Sequence, residues 1–233
     1  QARFNMGRAL ARKLQAENLL GTIDVVIPVP DTSRTAALAL AQSLGLPYSE
    51  GFIKNRYIAR TFIMPQQRER RHAVRLKLNA MRSEFAGKRV LLVDDSIVRG
   101  TTSCEIVAMA REAGAKSVYF ASAAPAIRHP NVYGIDMPAV SELIAHQRSA
   151  ADVAQLIDAD WGMYQDLEDV IAATLAARLS IDAHQVKAFE AAVFDGHYIS
   201  GDVDRHYLAY LASKRGGHSR AIDATAMERC IEI

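Results

Sequence analysis

The stretch Val90-Leu91-Leu92-Val93-Asp94-Asp95-Ser96-Ile97-Val98-Arg99-Gly100-Thr101-Thr102-Ser103 constrains the fold more than any other part of this chain. Four successive aliphatic residues, with no polar residue alternating, predict a strand buried on both faces, as in a parallel sheet covered by helices. Two adjacent carboxylates close that strand. A loop of small and hydroxyl residues with one glycine follows, and Cys104, Ile106, Val107, Met109 and Ala110 then recur at helical spacing. A second buried run, Ile23 to Val29, leads through Pro30-Asp31-Thr32-Ser33 into an alanine- and leucine-rich helix from Thr35 to Leu44, and a third spans Lys116 to Ala124. Strand and helix alternate through residue 124, which predicts an α/β fold with a doubly wound, mostly parallel sheet.

The residue types at the end of the central strand suit a phosphorylated, hydroxylated ligand. Backbone N–H groups of the loop and first helical turn can converge on a phosphate, and Gly100 removes the Cβ that would obstruct a close fold. Asp94 and Asp95 can accept hydrogen bonds from vicinal sugar hydroxyls or ligate a hard cation such as Mg2+. Taken alone, an Asp-Asp pair equally fits an acidic turn before a capped helix; the fourteen-residue string does not reduce to that. Pro30 to Ser33 offers a second anion nest, or simply an N-capped β-to-α turn.

Half of the 233 residues are hydrophobic, enough for one large core, or for one core with a small appendage. Two cysteines, Cys104 and Cys230, make no disulfide framework, and no Cys and His cluster has zinc spacing, so a reducing, cytoplasmic setting is expected. No apolar run approaches the roughly 18 residues of a membrane span. The chain opens at Gln1 inside a helical pattern over residues 2–20, and we expect it to be part of a longer polypeptide. Net charge is +2, but Lys54 to Arg82 carries nine Lys or Arg against one acid, a net of +8 that leaves −6 elsewhere. Such a block wants an anion. Residues 54–67 have neither helical nor strand period and read as a long functional loop, whose interleaved Arg and Tyr also fit an RNA-binding module. A basic helix is expected from Gln67 to Met81, an edge strand at Trp161–Tyr164, helices from Ser149 and Asp166, a hairpin or strand at Val193–Ile199 and a last helix from Asp202 to Ser213.

The central string resembles the phosphoribosyl-pyrophosphate (PRPP) motif of the type I phosphoribosyltransferases, and its Asp-Asp-Ser-Ile-Val-Arg-Gly-Thr-Thr-Ser form is similar to that of the glutamine PRPP amidotransferases. Lys54-Asn55-Arg56-Tyr57 with Arg60-Thr61-Phe62-Ile63 looks like their loop that closes over PRPP, and Tyr133-Gly134-Ile135-Asp136-Met137-Pro138 continues the likeness. The resemblance implies transfer of the 5-phosphoribosyl group to ammonia, derived from glutamine in the full-length enzymes, giving 5-phosphoribosylamine and pyrophosphate at the first step of purine synthesis. It implies that Ser96, Ile97, Val98, Arg99, Gly100, Thr101 and Thr102 hold the 5-phosphate, and that Asp94 and Asp95 hold the ribose hydroxyls. Asp31, Thr32 and Ser33 would hold pyrophosphate, and Thr32, Asp94 and Asp95 would ligate Mg2+. Lys54, Arg56 and Tyr57 would act from the lid, and Tyr57, Ile63 and Leu143 would line an ammonia channel.

Two departures from that pattern matter. The glutaminase half, with its N-terminal cysteine nucleophile, is not in this sequence, so the chain by itself is expected to use ammonia. Where some members carry a Cys-x-x-Cys for an iron–sulfur cluster, this chain has Glu190-Ala191-Ala192-Val193, so no cluster is expected. The expected organisation is a transferase domain over residues 1–180, an extension packed on it over 181–213, and a flexible tail over 214–233. Purine nucleotide inhibitors and a homo-oligomer, commonly a tetramer, are implied by the resemblance; nucleic acid and membrane are not. A nucleobase-salvage phosphoribosyltransferase or a non-catalytic PRPP-sensing regulator would share the central motif.

Overall fold

In a computed structural model of the chain, the described residues are 1–17, 19–55, 74–133, 139–177, 186 and 188–215. The central aliphatic run forms β4 (Arg89–Asp94), flanked by β1 (Val25–Pro28) and β5 (Ser117–Ser122), with β6 (Trp161–Tyr164) beyond β5. The sheet order is β1-β4-β5-β6 and every pairing is parallel, with Val26 opposite Leu91 and Leu91 opposite Tyr119. Tyr48 adds a parallel bridge to Val26 outside β1.

Val90 to Val93 are all inaccessible, but they serve two different layers. Val90 and Leu92 pack with Phe85, Ile106, Val107 and Phe120. Leu91 and Val93 pack with Leu10, Leu14, Val26 and Leu40. The first layer is covered by α4 (Thr101–Glu112) and the second by α1 (Ala2–Ala16) and α2 (Arg34–Leu44). A strand sandwiched in this way has no solvent face on which a polar residue could alternate. α1 and α2 approach closely at Gly7, where a Cβ would lie 2.1 Å from the Ala36 carbonyl oxygen.

Two expectations are corrected. Leu78–Ala80 is not the end of a helix running to Met81: it forms β3, antiparallel to β2 (Phe52–Lys54), with Phe52 opposite Ala80 and Lys54 opposite Leu78. Burying Phe52 and Leu78 together outweighs the local helical preference. Val193–Ile199 is not a hairpin or strand: Ala192–Asp195 forms a short helical turn, α7. The Glu190 carboxylate accepts from the Ala192 amide and the Asp195 carboxylate from the His197 amide, local bonds that close a turn without a neighbouring strand. The remaining elements are α3 (Arg82–Phe85), α5 (Ala150–Leu156), α6 (Leu167–Leu175) and α8 (Arg205–Arg215). Ser149 caps α5 in a full capping box with Asp152. Among the described residues no helix is long and apolar enough to cross a membrane.

The start of β4 is pinned by an ion pair with an acid-dependent consequence. The Asp24 carboxylate accepts from the Arg89 backbone amide at 2.7 Å and from its guanidinium at 2.6 and 3.1 Å. These bonds hold the Asp24 carboxyl down to about 2, against an ordinary 3.8. A depressed folded-state value stabilises the fold above the unfolded value, and that contribution disappears as pH falls from the ordinary value through the folded one. Asp24→Asn is therefore expected to melt below wild type at pH 7, with the gap closing as pH drops below about 4 and toward 2. Thermal melts across that range check it; a gap independent of pH would remove the ion pair as its cause.

Candidate functional site

The site lies outside the carboxyl ends of β1 and β4, where open parallel sheets place their ligands. β4 ends at Asp94, which is buried, while Asp95 is exposed. The Asp94 carboxylate accepts the Asp95 backbone amide at 2.8 Å. Burial, and then the neighbouring Asp95 charge, push the Asp94 carboxyl well above the ordinary carboxylate value. Two carboxylates are thus forced together with one of them short of solvent.

The turn after β1 comes up beside them. Thr32 donates its hydroxyl to Asp95, and Ser96 donates to the other Asp95 oxygen at 3.3 Å. The Ser33 hydroxyl is committed to the Val29 carbonyl, which tightens the turn into α2. The Pro30–Asp31 peptide is cis. Asp31 accepts from Lys54 Nζ at 2.7 Å and from Arg34 at 3.0 Å, and Arg34 also reaches Glu50 at 2.8 Å. Lys54 therefore arrives from the end of β2 at the pyrophosphate-nest candidate, across 23 residues of sequence.

The loop between Asp95 and α4 is shaped by three features. Ile97 points into the core, 3% exposed. Gly100 has φ of 78°, a left-handed conformation, and its ideal Cβ would sit 2.2 Å from Ile144 Cδ1. Thr101 and Thr102 open α4, whose first amides and positive dipole end face the loop. Arg99 directs its guanidinium to Glu142 at 2.7 Å, and the Ile144 amide donates to the Val98 carbonyl at 2.9 Å. Leu143, expected at a channel wall, is fully buried between these two contacts.

The structure therefore brings Asp31, Thr32, Lys54, Asp94, Asp95 and Ser96 into one linked group. Arg56, Tyr57 and Ile63 lie outside the described residues. Arg34 and Glu50 join the group although sequence reading did not select them, and Glu142, also not selected as a site residue, meets Arg99 in the adjoining loop. Glu50 carries no motif signal because it meets Arg34 only through folding; Glu142 opens the segment Glu142-Leu143-Ile144-Ala145, which resembles the amidotransferases, but its pairing with Arg99 is made only through folding; Arg34 directly follows the selected turn and was legible by position. Among the described residues no group of three or more His, Cys, Asp or Glu forms a metal site on its own. The oxygen set at Asp94, Asp95 and Thr32 nevertheless fits a hard divalent cation that completes its shell with substrate oxygens and water. A cation there would offset the repulsion from Asp95, the lesser cause of the raised Asp94 carboxyl beside its burial.

The family model for the phosphoribosyl transferase domain matches residues 1–131. The chain is 58% identical over 221 residues to the amidophosphoribosyltransferase of Pseudomonas aeruginosa, covering 95% of this chain and 43% of the relative. It is 55% identical to that of Escherichia coli over 95% of the chain and 43% of the relative, and 53% identical to that of Saccharomyces cerevisiae over 99% and 43%. The chain thus spans less than half the length of these curated relatives. Among solved structures, the glutamine PRPP amidotransferase of B. subtilis complexed with ADP and GMP superposes with a TM-score of 0.68 at 42% identity, over 88% of this chain and 44% of that one. A structure described as the allosteric regulatory enzyme of purine biosynthesis gives a TM-score of 0.70 at 41% identity, over 91% and 43%. With the family model covering residues 1–131, over half of the chain, and a parallel sheet whose strand ends carry the expected acidic pair and small-residue loop, this chain belongs to the phosphoribosyltransferase family.

Proposed function

We propose that this chain transfers the 5-phosphoribosyl group of PRPP to ammonia, releasing pyrophosphate and forming 5-phosphoribosylamine, as the transferase part of an amidophosphoribosyltransferase. The observation that carries this reading is the convergence of the acidic pair Asp94 and Asp95, the Gly100 loop and the Asp31–Lys54 cluster at one end of the parallel sheet. The amides of the loop and the start of α4 bind the 5-phosphate. Asp94 and Asp95 accept from the ribose hydroxyls, orienting the anomeric carbon. The turn Asp31-Thr32-Ser33 and Lys54 hold the pyrophosphate as negative charge builds on it. To do so, Lys54 exchanges its bond to Asp31 for one to the leaving group. Arg56 and Tyr57 follow from the lid, and Ile63 with Tyr57 and Leu143 lines the ammonia path. Thr32, Asp94 and Asp95 would hold Mg2+, which supplies charge neutralisation of the leaving pyrophosphate. Ammonia is already a nucleophile, so no general base is required of the protein.

Residues 1–180 form the transferase domain in this reading, with 181–213 as an extension and 214–233 as a tail; residues 216–233 lie outside the described residues. Support for the extension comes from Tyr198, whose hydroxyl donates to the Pro130 carbonyl at 2.8 Å, and from the Arg128 amide, which donates to the Val193 carbonyl at 2.9 Å. Purine nucleotides are proposed as inhibitors and glutamine as the nitrogen source of the whole enzyme, assembled as a homo-oligomer in the cytoplasm without an iron–sulfur cluster.

The test is pyrophosphate release from PRPP with Mg2+ and concentrated ammonium at alkaline pH, with adenine, guanine or orotate substituted for ammonium in parallel. Release that needs ammonium alone supports the proposal. Release with a nucleobase would make the chain a salvage enzyme, and binding of PRPP without release under any condition would make it a sensor.

A further inference from the structure

The loop that receives the 5-phosphate is held from behind by a segment forty residues further along, and the contacts are unusually convergent. Glu142 accepts from Arg99 Nε at 2.7 Å, with both side chains about two-thirds to three-quarters buried, at 31% and 27% exposure. Two residues on, the Ile144 amide donates to the Val98 carbonyl at 2.9 Å, and Ile144 Cδ1 fills the space in which Gly100 has no Cβ. Consecutive loop residues Val98, Arg99 and Gly100 are therefore all met from one three-residue stretch, Glu142 to Ile144.

That stretch is itself rigid. Val140–Glu142 is a 3-10 turn, and Leu143, Ile144 and Ala145 are inaccessible. Arg128 Nη1 donates to the Ala145 and Arg148 carbonyls at 2.9 and 3.1 Å, and Arg148 donates to the Ile144 carbonyl at 3.0 Å. The loop takes its shape from contacts outside itself, with Ile97 in the core and the Glu142–Ile144 stretch against Val98 to Gly100. Its amides can form a phosphate cradle only if their directions are imposed from outside, because a flexible loop loses conformational entropy when it closes on a ligand.

We propose that Glu142 is a positioning residue for 5-phosphate binding: by fixing Arg99 it holds the Ser96–Thr102 loop with its amides preset for the phosphate. The ion pair also commits the Arg99 guanidinium to Glu142, which leaves main-chain N–H groups to meet the phosphate. This rests on the reading that the loop binds the 5-phosphate. Arg99 consequently contributes through its backbone and through this anchor.

The experiment separates the two halves of the substrate. Wild type, Glu142→Gln and Arg99→Gln are titrated with ribose 5-phosphate, which carries the 5-phosphate alone, and with pyrophosphate plus Mg2+, which probes the other nest. The expected result is a dissociation constant for ribose 5-phosphate raised about fivefold or more in each variant, with pyrophosphate binding within about twofold of wild type. In the ammonia reaction KM for PRPP rises while kcat at saturation holds. The double variant is no weaker than the worse single one, because both remove the same anchor. Unchanged ribose 5-phosphate binding in both variants overturns the proposal, as does an equal loss for pyrophosphate, which marks general structural damage. A wild-type chain that does not bind ribose 5-phosphate overturns the loop assignment, and this inference falls with it.

Discussion

Replacing both strand-end carboxylates, Asp94→Asn with Asp95→Asn, is expected to cut ammonia-dependent pyrophosphate release from PRPP by about a thousandfold or more. Under the proposed function the pair would supply the acceptors for the ribose hydroxyls and, with Thr32, the oxygen set for the cation, so its removal would strip both orientation and charge neutralisation. The fold should survive. Asp94→Asn alone is expected to raise the melting temperature of the ligand-free protein in chelator, because it removes a carboxyl whose ionisation is opposed by burial and by Asp95, while its amide oxygen can still accept the Asp95 N–H. The sign depends on pH. A carboxyl raised in the folded state costs nothing where it is protonated in both states, and costs stability as pH rises above the ordinary value of 3.8. Wild type and Asp94→Asn should therefore melt together near pH 4 and diverge toward pH 8, each kcal/mol amounting to about 2–4 °C for a chain of this size. A variant less stable than wild type at pH 8 would show that Asp94 is satisfied in the ligand-free fold. An active site that gains stability by losing its function is a familiar trade-off.

Gly100→Ala is expected to cost about 1–3 kcal/mol of stability and to abolish PRPP binding. Two causes act together. The backbone at φ 78° strains any residue with a Cβ, and that Cβ would stand 2.2 Å from Ile144 Cδ1. Ile144 cannot retreat, since it is inaccessible and its segment is bonded on both sides. The loop must move instead, and with it the amides proposed to hold the phosphate. Adding Ile144→Val, which deletes the offending methyl at about 1 kcal/mol by itself, should recover part of the loss. The two substitutions should be non-additive in denaturant melts and in PRPP titrations. Strict additivity would mean that strain at Gly100, and not the contact with Ile144, sets the loss.

The central strand, the turn after β1 and α4 were legible in the sequence for a simple reason. A strand covered on both faces leaves an uninterrupted aliphatic run, and a phosphate-binding turn leaves glycine and hydroxyl residues at its close approaches, so the local pattern carries the tertiary role. The acidic pair was legible because both members are adjacent in the chain. Leu78–Ala80 and Ala192–Asp195 were not, since three- and four-residue elements carry too little periodicity and are decided by their partners: Phe52 across the hairpin for one, the carboxylates of Glu190 and Asp195 for the other. What the sequence determined alone is therefore the sheet, the motif and the chemistry that the motif can hold. The tertiary structure decided which charges face one another. Asp31 meets Lys54, Arg34 meets Glu50, and Arg99 meets Glu142, pairs separated by up to 43 residues that no spacing rule connects. It also decided that Asp94 is buried while its neighbour Asp95 is exposed: Asp94 is the last residue of β4, and Asp95 lies past the strand in the turn that follows.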